Sequence, residues 1–181
     1  MPIRSTLRLL LPAVAAVLIS HPLPAQEAQK IPSFDVIVYG GTAGGVAAAV
    51  QTARMGKTAL IIEPGEHLGG LTSGGLGATD IGNKGAIGGI SREFYQRVKK
   101  YYENDAVWRQ QKRTSYKSGR GADVDEAMWT FEPHVAEKIL NDFVKESGVQ
   151  VVYKERLDRK TPLVLNNGKI DSIKMESGKL Y

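Results

Sequence analysis

Apolar positions along the chain change period several times, and the changes outline its elements. Residues 34–39 (Phe-Asp-Val-Ile-Val-Tyr) form an apolar, β-branched run that predicts a buried strand. A glycine cluster at 40–45 follows, and then an alanine-rich stretch, 46–55, whose small residues suit a helix lying close against a sheet. Gly56 and Lys57 end that helix, and residues 58–62 (Thr-Ala-Leu-Ile-Ile) predict a central parallel strand covered on both faces. Ile90, Phe94, Val98 and Tyr101 recur at helical spacing across 89–103, with arginines and lysines between them, which predicts a surface helix. Residues 132–144 read as an amphipathic helix opened by Pro133, ended by Gly148, and presenting Val135, Ile139, Leu140, Phe143 and Val144 to a core. The next strand is expected at 149–153. Residues 161–181 alternate apolar and polar positions around Asn167-Gly168 and Ser177-Gly178, which predicts two successive hairpin turns, a small antiparallel meander. Residues 104–130 hold no sustained period and read as an insertion over one edge of the domain, pinned by Trp108 and Trp129. Structured excursions of this kind often shape substrate pockets.

The order strand, glycine turn, helix, strand, acid is the pattern of a dinucleotide site. A diphosphate reaches the first turn of a helix only when the preceding loop is sharp and free of side chains. Gly40 permits the sharp turn, and Gly45 permits close packing of helix on strand. Aligning these two with the outer glycines of G-x-G-x-x-G puts Thr42, not glycine, at the middle place. Its hydroxyl can donate to a phosphate oxygen, and Gly41 and Gly44 are expected to leave the loop open on either side, a variant cradle with Ala43 at its centre. Glu63 lies 18 positions beyond Gly45 and can accept from ribose hydroxyls, while repelling a 2′-phosphate, so FAD or NAD is expected rather than NADP. The competing reading is a glycine-rich turn in an ordinary α/β protein. Between the two cofactors, the glycine-dense segment 64–80 decides. A chain that stays extended through Gly69-Gly70 and Gly74-Gly75 lets bare backbone run beside a long flat ligand, which favours a flavin.

Three segments carry a family likeness: 38–45 (Val-Tyr-Gly-Gly-Thr-Ala-Gly-Gly), 63–75 (Glu-Pro-Gly-Glu-His-Leu-Gly-Gly-Leu-Thr-Ser-Gly-Gly) and 131–137 (Phe-Glu-Pro-His-Val-Ala-Glu). From Ser33 onward the chain resembles FAD-dependent oxidoreductases of the glutathione-reductase-like fold, in the family that includes heterodisulfide reductase-like flavoproteins. The resemblance implies an α/β, Rossmann-like domain with a parallel central sheet and flanking helices, in which the strand at 149–153 lies beside the first. It implies non-covalent FAD, with the adenine half on Gly40, Gly41, Thr42, Ala43, Gly44, Gly45, Glu63 and Pro64. Gly69, Gly70, Leu71 and Thr72 then lie nearer the flavin, and Leu157 touches the adenine. The implied activity is hydride transfer between a small organic substrate and the flavin, with no catalytic acid or base assigned. The family's later glycine–aspartate segment and substrate domain fall outside the 181 residues, so the chain reads as an N-terminal piece. Two other readings are a catalytically incomplete nucleotide-binding fragment and an NAD-dependent dehydrogenase. His67 precedes the Gly69-Gly70 pair and reads as a surface histidine, not a covalent flavin anchor, and His134 reads as a capping or pairing residue beside Glu132.

Residues 1–8 are basic, 9–19 form a compact apolar run, and Ala25 offers a cleavage position, which together read as an export signal over 1–25 with a linker at 26–32. A periplasmic or extracellular location follows as the expectation, with no membrane span once the signal is removed. The absence of cysteine excludes disulfides, redox thiol pairs and cysteine-ligated clusters within the chain and leaves the electron acceptor open. Only three histidines occur, one of them (His21) in the leader, so no metal-ligand spacing is present and no metal is expected. The net charge of +5 falls to +3 when the leader takes Arg4 and Arg8 with it. Arg109, Lys112, Arg113, Lys117 and Arg120 interleave with Trp108 and Tyr116, but Asp123, Asp125 and Glu126 follow at once. The run therefore reads as a solvated mixed-charge excursion, not a nucleic-acid surface.

Overall fold

The computed structural model of the protein describes residues 31–80, 82–117 and 126–181. The expected signal, most of the linker, and residues 118–125 of the expected insertion lie outside the described residues.

Three parallel strands form the sheet: β1 (Val36–Tyr39), β2 (Ala59–Glu63) and β3 (Gln150–Tyr153), in the order β1-β2-β3. Val36 pairs with Ala59, and Leu60 pairs with Gln150. β3 therefore lies beside β2, not beside β1 as the resemblance implies. The helices of the two crossovers, α1 (Ala43–Arg54) and α3 (Pro133–Ser147), pack together on one face. Crossovers between parallel strands are right-handed as a rule, so two of them over the same face each step one strand in the same direction, which puts the third strand outside the second.

Side chains leave each strand with period two, and the two sets feed different cores. Val38, Ala59, Ile61 and Val151 meet the helices, including α2 (Gly89–Tyr102). Ile37, Leu60, Ile62 and Val152 meet Phe34, Met175, Ile173 and Tyr181. Residues 59–62 of β2 are buried throughout, as a central strand requires. β1 is shorter than expected and half-exposed, with Val36 and Tyr39 open to solvent, because among the described residues it has a strand neighbour on one side only.

The helix boundaries follow their local signals. Thr42 caps α1, accepting from the Gly45 N–H at 3.1 Å. Pro133 opens α3, and Gly148 closes it in the left-handed conformation at φ 69°. Charged side chains tie the three helices together: Arg97 reaches Glu93 at 2.7 Å and Glu146 at 2.6 Å, and Arg54 reaches Glu93 at 2.8 Å. The Arg97 guanidinium also lies 4.1 Å from the centre of the Phe143 ring.

Both tryptophans pin the excursion between α2 and α3. Trp129 is fully buried with its ring 4.4 Å from that of Tyr95, and its carbonyl accepts from the Thr79 N–H. Trp108 donates its indole N–H to the Tyr102 carbonyl at 2.8 Å. The meander contains β4 (Val164–Asn166) and β5 (Lys169–Ser172), joined by Asn167 and Gly168 at φ 50° and 77°, the paired positive φ of a tight hairpin. A second turn at Ser177-Gly178 returns the chain to Met175, and a bridge from Met175 to Leu157 seats the meander across the sheet. Glu155, almost wholly buried, anchors this layer by accepting from Ser177 at 2.7 Å and from Lys179 at 2.5 Å. No helix among the described residues is long and apolar enough to cross a membrane.

Candidate functional site

The carboxyl ends of β1 and β2 and the start of α1 converge on the glycine turn. Gly40 leaves β1 at φ 104°, a conformation that strains any residue with a Cβ. At Gly45 a Cβ would sit 2.1 Å from the Gly40 carbonyl oxygen, so helix and turn touch where only a hydrogen fits. Ala43 and Gly44 begin α1, where the first-turn N–H groups have no acceptor within the helix. Thr42 keeps its hydroxyl hydrogen free to donate, since its oxygen is the acceptor in the cap. Gly44 faces open space: the nearest atom to a Cβ there would be Thr42 Oγ1 at 3.9 Å. Thr42 and Gly44 are exposed, with Ala43 half-exposed between them.

Gly41 differs from its expected role. It is buried, and a Cβ on it would meet Leu68 Cδ2 at 2.5 Å and Glu63 Oε2 at 3.0 Å. Its lack of a side chain makes room for a second loop, not for solvent. That loop starts at Glu63, whose Oε2 accepts from the Gly41 N–H and whose Oε1 accepts from the Gly65 N–H, both at 2.6 Å. The carboxylate thus bridges the two glycine segments at the tip of β2, and each oxygen retains capacity for a further donor. Pro64 lies between the bridged residues and is half-buried.

The second loop is fastened to the first. Gly69 donates its N–H to the Gly41 carbonyl at 2.7 Å, and Thr42 and Gly69 form a parallel bridge. Residues 70–75 then coil into turns, where an extended run was expected. Thr72 donates to the Gly69 carbonyl, Gly74 to the Gly70 carbonyl, and Leu76 to the Leu71 carbonyl. Positive φ at Gly69, Gly70 and Gly75 permits the coiling, and the Ser73 hydroxyl locks it by donating to the Leu68 carbonyl at 2.5 Å. Gly70 and Leu71 are left exposed on the outer side, Leu71 at 75%.

The remaining expected residues lie at the margins. Leu157 donates its N–H to the Tyr39 hydroxyl at 3.0 Å, so this residue stands at the end of β1 with its amide engaged. His67 pairs through Nδ1 with Glu137 at 2.8 Å on the exposed surface. His134 stands against the Tyr101 ring, and Glu132 binds the Tyr102 hydroxyl instead. Sequence reasoning missed Gly65, Leu68, Ser73 and Tyr39. Of these, Gly65 had a visible signal, a glycine directly after the acid–proline pair.

The geometry fits a bound dinucleotide. Two glycine positions exclude a Cβ, the Ala43 and Gly44 amides have no acceptor within the helix, and a carboxylate is fixed at the neighbouring strand tip. Comparison with known proteins agrees. A family profile described as "FAD dependent oxidoreductase" matches residues 35–181. A search of curated proteins gave no match. Among solved structures, L-amino acid deaminase from Proteus vulgaris, with its specific insertion sequence deleted, is 17% identical with a TM-score of 0.52. That match covers 86% of this chain and 53% of the deaminase. The 3-ketosteroid-Δ4-(5α)-dehydrogenase from Rhodococcus jostii RHA1 is 18% identical (TM-score 0.46), over 86% of this chain and 45% of the dehydrogenase. A complex of OTEMO with FAD and NADP is 15% identical (TM-score 0.47), over 83% of this chain and 24% of that protein. The chain thus spans about half, or less, of the solved structures it matches, and the first likeness shows a shared fold. With the profile spanning all but the first 34 residues, the chain belongs to the FAD-dependent oxidoreductase family, and FAD is its cofactor.

Proposed function

We propose that this chain is the cofactor-holding part of an exported flavoenzyme that moves a hydride between a small organic substrate and bound FAD. The observation that carries the reading is the Glu63 carboxylate, held 2.6 Å from the Gly41 amide at the mouth of the glycine turn. The diphosphate is assigned to the Ala43 and Gly44 amides and the Thr42 hydroxyl, at the positive end of α1. Glu63, backed by Pro64 and the Gly65 amide, takes the ribose hydroxyls. Gly69, Gly70, Leu71 and Thr72 supply bare backbone and one exposed apolar side chain toward the ring half. At Leu157 an adenine contact falls to the carbonyl or side chain, because Tyr39 occupies the N–H. The chemistry that FAD supplies when bound is hydride acceptance and release at the N5 edge of its ring, while the protein supplies placement and electrostatics.

The test is to express the 181-residue chain, add FAD, and measure flavin carried through gel filtration. Retained flavin that is lost in Glu63→Ala supports the assignment. A chain that holds NAD but no flavin, or a Glu63→Ala variant that holds flavin as the parent does, would overturn it. Export is checked separately: the recovered mature protein should begin at Gln26 by mass spectrometry, and an intact Met1 terminus on secreted material would refute the leader. Anaerobic bleaching of the flavin band by a panel of small organic hydride donors tests the reaction class.

A further inference from the structure

Away from the glycine turn, a cavity of about 720 Å³ opens between the C-terminal end of α2, the start of α3 and the excursion that joins them. Its volume falls within the usual range for small-molecule sites. One wall is a ladder of rings. The centroids of Tyr101 and Tyr102 are 5.2 Å apart, those of Tyr102 and Trp108 are 5.3 Å apart, and those of Trp108 and Tyr116 are 5.1 Å apart. Phe131, Thr130 and His134 also line it, His134 with its ring against that of Tyr101.

The two middle rings of the ladder, Tyr102 and Trp108, are fixed by hydrogen bonds within the protein. Trp108 is tied through its indole N–H to the Tyr102 carbonyl. The Tyr102 hydroxyl in turn donates to the Glu132 carboxylate at 2.9 Å and accepts from the Glu132 N–H at 3.0 Å. Rings held by their own polar ends need little further ordering when a flat body slides against them.

Charge gives the cavity a direction. Glu132, bound to the Tyr102 hydroxyl, is the one carboxylate lining it among the described residues. The cavity runs on into a neighbouring cleft of about 520 Å³, which shares Trp108, Arg109, Gln110 and Gln111 with it and adds Lys112, Arg113, Thr114 and Asp105. Arg113 is already matched by Asp105 at 2.7 Å. Arg109 and Lys112 have no carboxylate partner among the described residues. An anion is therefore repelled by Glu132 and attracted to Arg109, where a guanidinium can grip a carboxylate with two parallel N–H donors.

We infer that this cleft binds a ring-bearing organic acid, with its flat body against the Trp108–Tyr116 ladder and its carboxylate at Arg109. The site is separate from the cradle at Gly40–Glu63, and the inference does not depend on the cofactor assignment. A neutral ring compound loses the Arg109 contact, and an aliphatic acid loses the stacking.

The experiment titrates the 181-residue chain with 2-naphthoate and with its uncharged counterpart 2-naphthalenemethanol, following binding by calorimetry. The expected result is saturable binding of the acid, tighter than that of the alcohol and weakened by added salt. Arg109→Gln should weaken the acid about tenfold, the scale of one charge-assisted hydrogen bond, and leave the alcohol unchanged. Arg109 is exposed, so the variant should melt as the parent does, which circular dichroism checks. Trp108→Leu should weaken both compounds. Equal binding of acid and alcohol, indifference to Arg109→Gln, displacement of naphthoate by FAD, or no saturable binding would each overturn the inference.

Discussion

Replacing Gly45 by alanine tests the central packing argument, and replacing Gly44 provides the matched control one residue away. The Gly45 methyl would lie 2.1 Å from the Gly40 carbonyl oxygen and 3.2 Å from Val38 Cγ1. Because the first of these is backbone, no rotamer change relieves it. The start of α1 must move away by roughly 1 Å, and forced expansion of this kind costs about 1–3 kcal/mol. Alanine in place of glycine in a helix returns at most about 1 kcal/mol. The net loss is thus centred on about 1.5 kcal/mol, a fall in Tm of about 3–6 °C for a domain of this size. The same displacement carries the Ala43 and Gly44 amides off the diphosphate position, so flavin affinity should fall about tenfold or more. Gly44→Ala instead meets no closer protein atom than Thr42 Oγ1 at 3.9 Å, keeps its N–H, and should melt at or slightly above the parent temperature. Thermal and urea unfolding followed by circular dichroism, with flavin retention measured on the same samples, distinguish the two. A Gly45→Ala protein that melts with the parent, or a Gly44→Ala protein equally damaged, would refute the close-approach reasoning.

Further predictions concern the carboxylates and the buried anchors. Glu63→Ala strips the acceptor from the buried Gly41 N–H, at about 1–3 kcal/mol, and should weaken FAD far more than His67→Ala; equal losses in a flavin titration would undo that division of roles. The Lys179 ammonium and the Ser177 hydroxyl hold the Glu155 carboxyl below its ordinary value of 4.5. Its contribution is complete above that value and is lost as pH falls through the lower folded value. The drop in urea midpoint between neutral and strongly acid solution should accordingly shrink in Glu155→Gln, and an unchanged drop would refute the link. Trp129→Ala removes a fully buried indole and should cost about 3–5 kcal/mol; a variant unfolding within a degree or two of the parent would show that the excursion is not anchored there.

What could be read from the chain was what depends on short-range periodicity and on positions intolerant of a Cβ. The strand–turn–helix unit, the helix at 133–147 with its proline start and glycine stop, and the Asn167-Gly168 hairpin all fall in this class. So does Gly45, whose packing role the geometry bears out at 2.1 Å. The misses lie where contacts link residues distant in sequence. The neighbour of β3 is set by which face α1 and α3 share, and no local pattern records that. Gly41 looked like an open position because Leu68 and Glu63, which cover it, come from a later loop. The coiling of 70–75 depends on the Ser73 hydroxyl finding a carbonyl five residues back, a pairing hidden within a glycine-dense run that equally suits extended backbone.

The Glu63 bridge has a consequence for how the protein meets its cofactor. With both oxygens gripping amides from two different segments, the walls of the receptacle are joined by the protein's own hydrogen bonds, and the entropy of joining those segments is met during folding. A nucleotide would meet a surface already assembled by the protein's own contacts, so loading becomes a simple capture whose rate tracks flavin concentration.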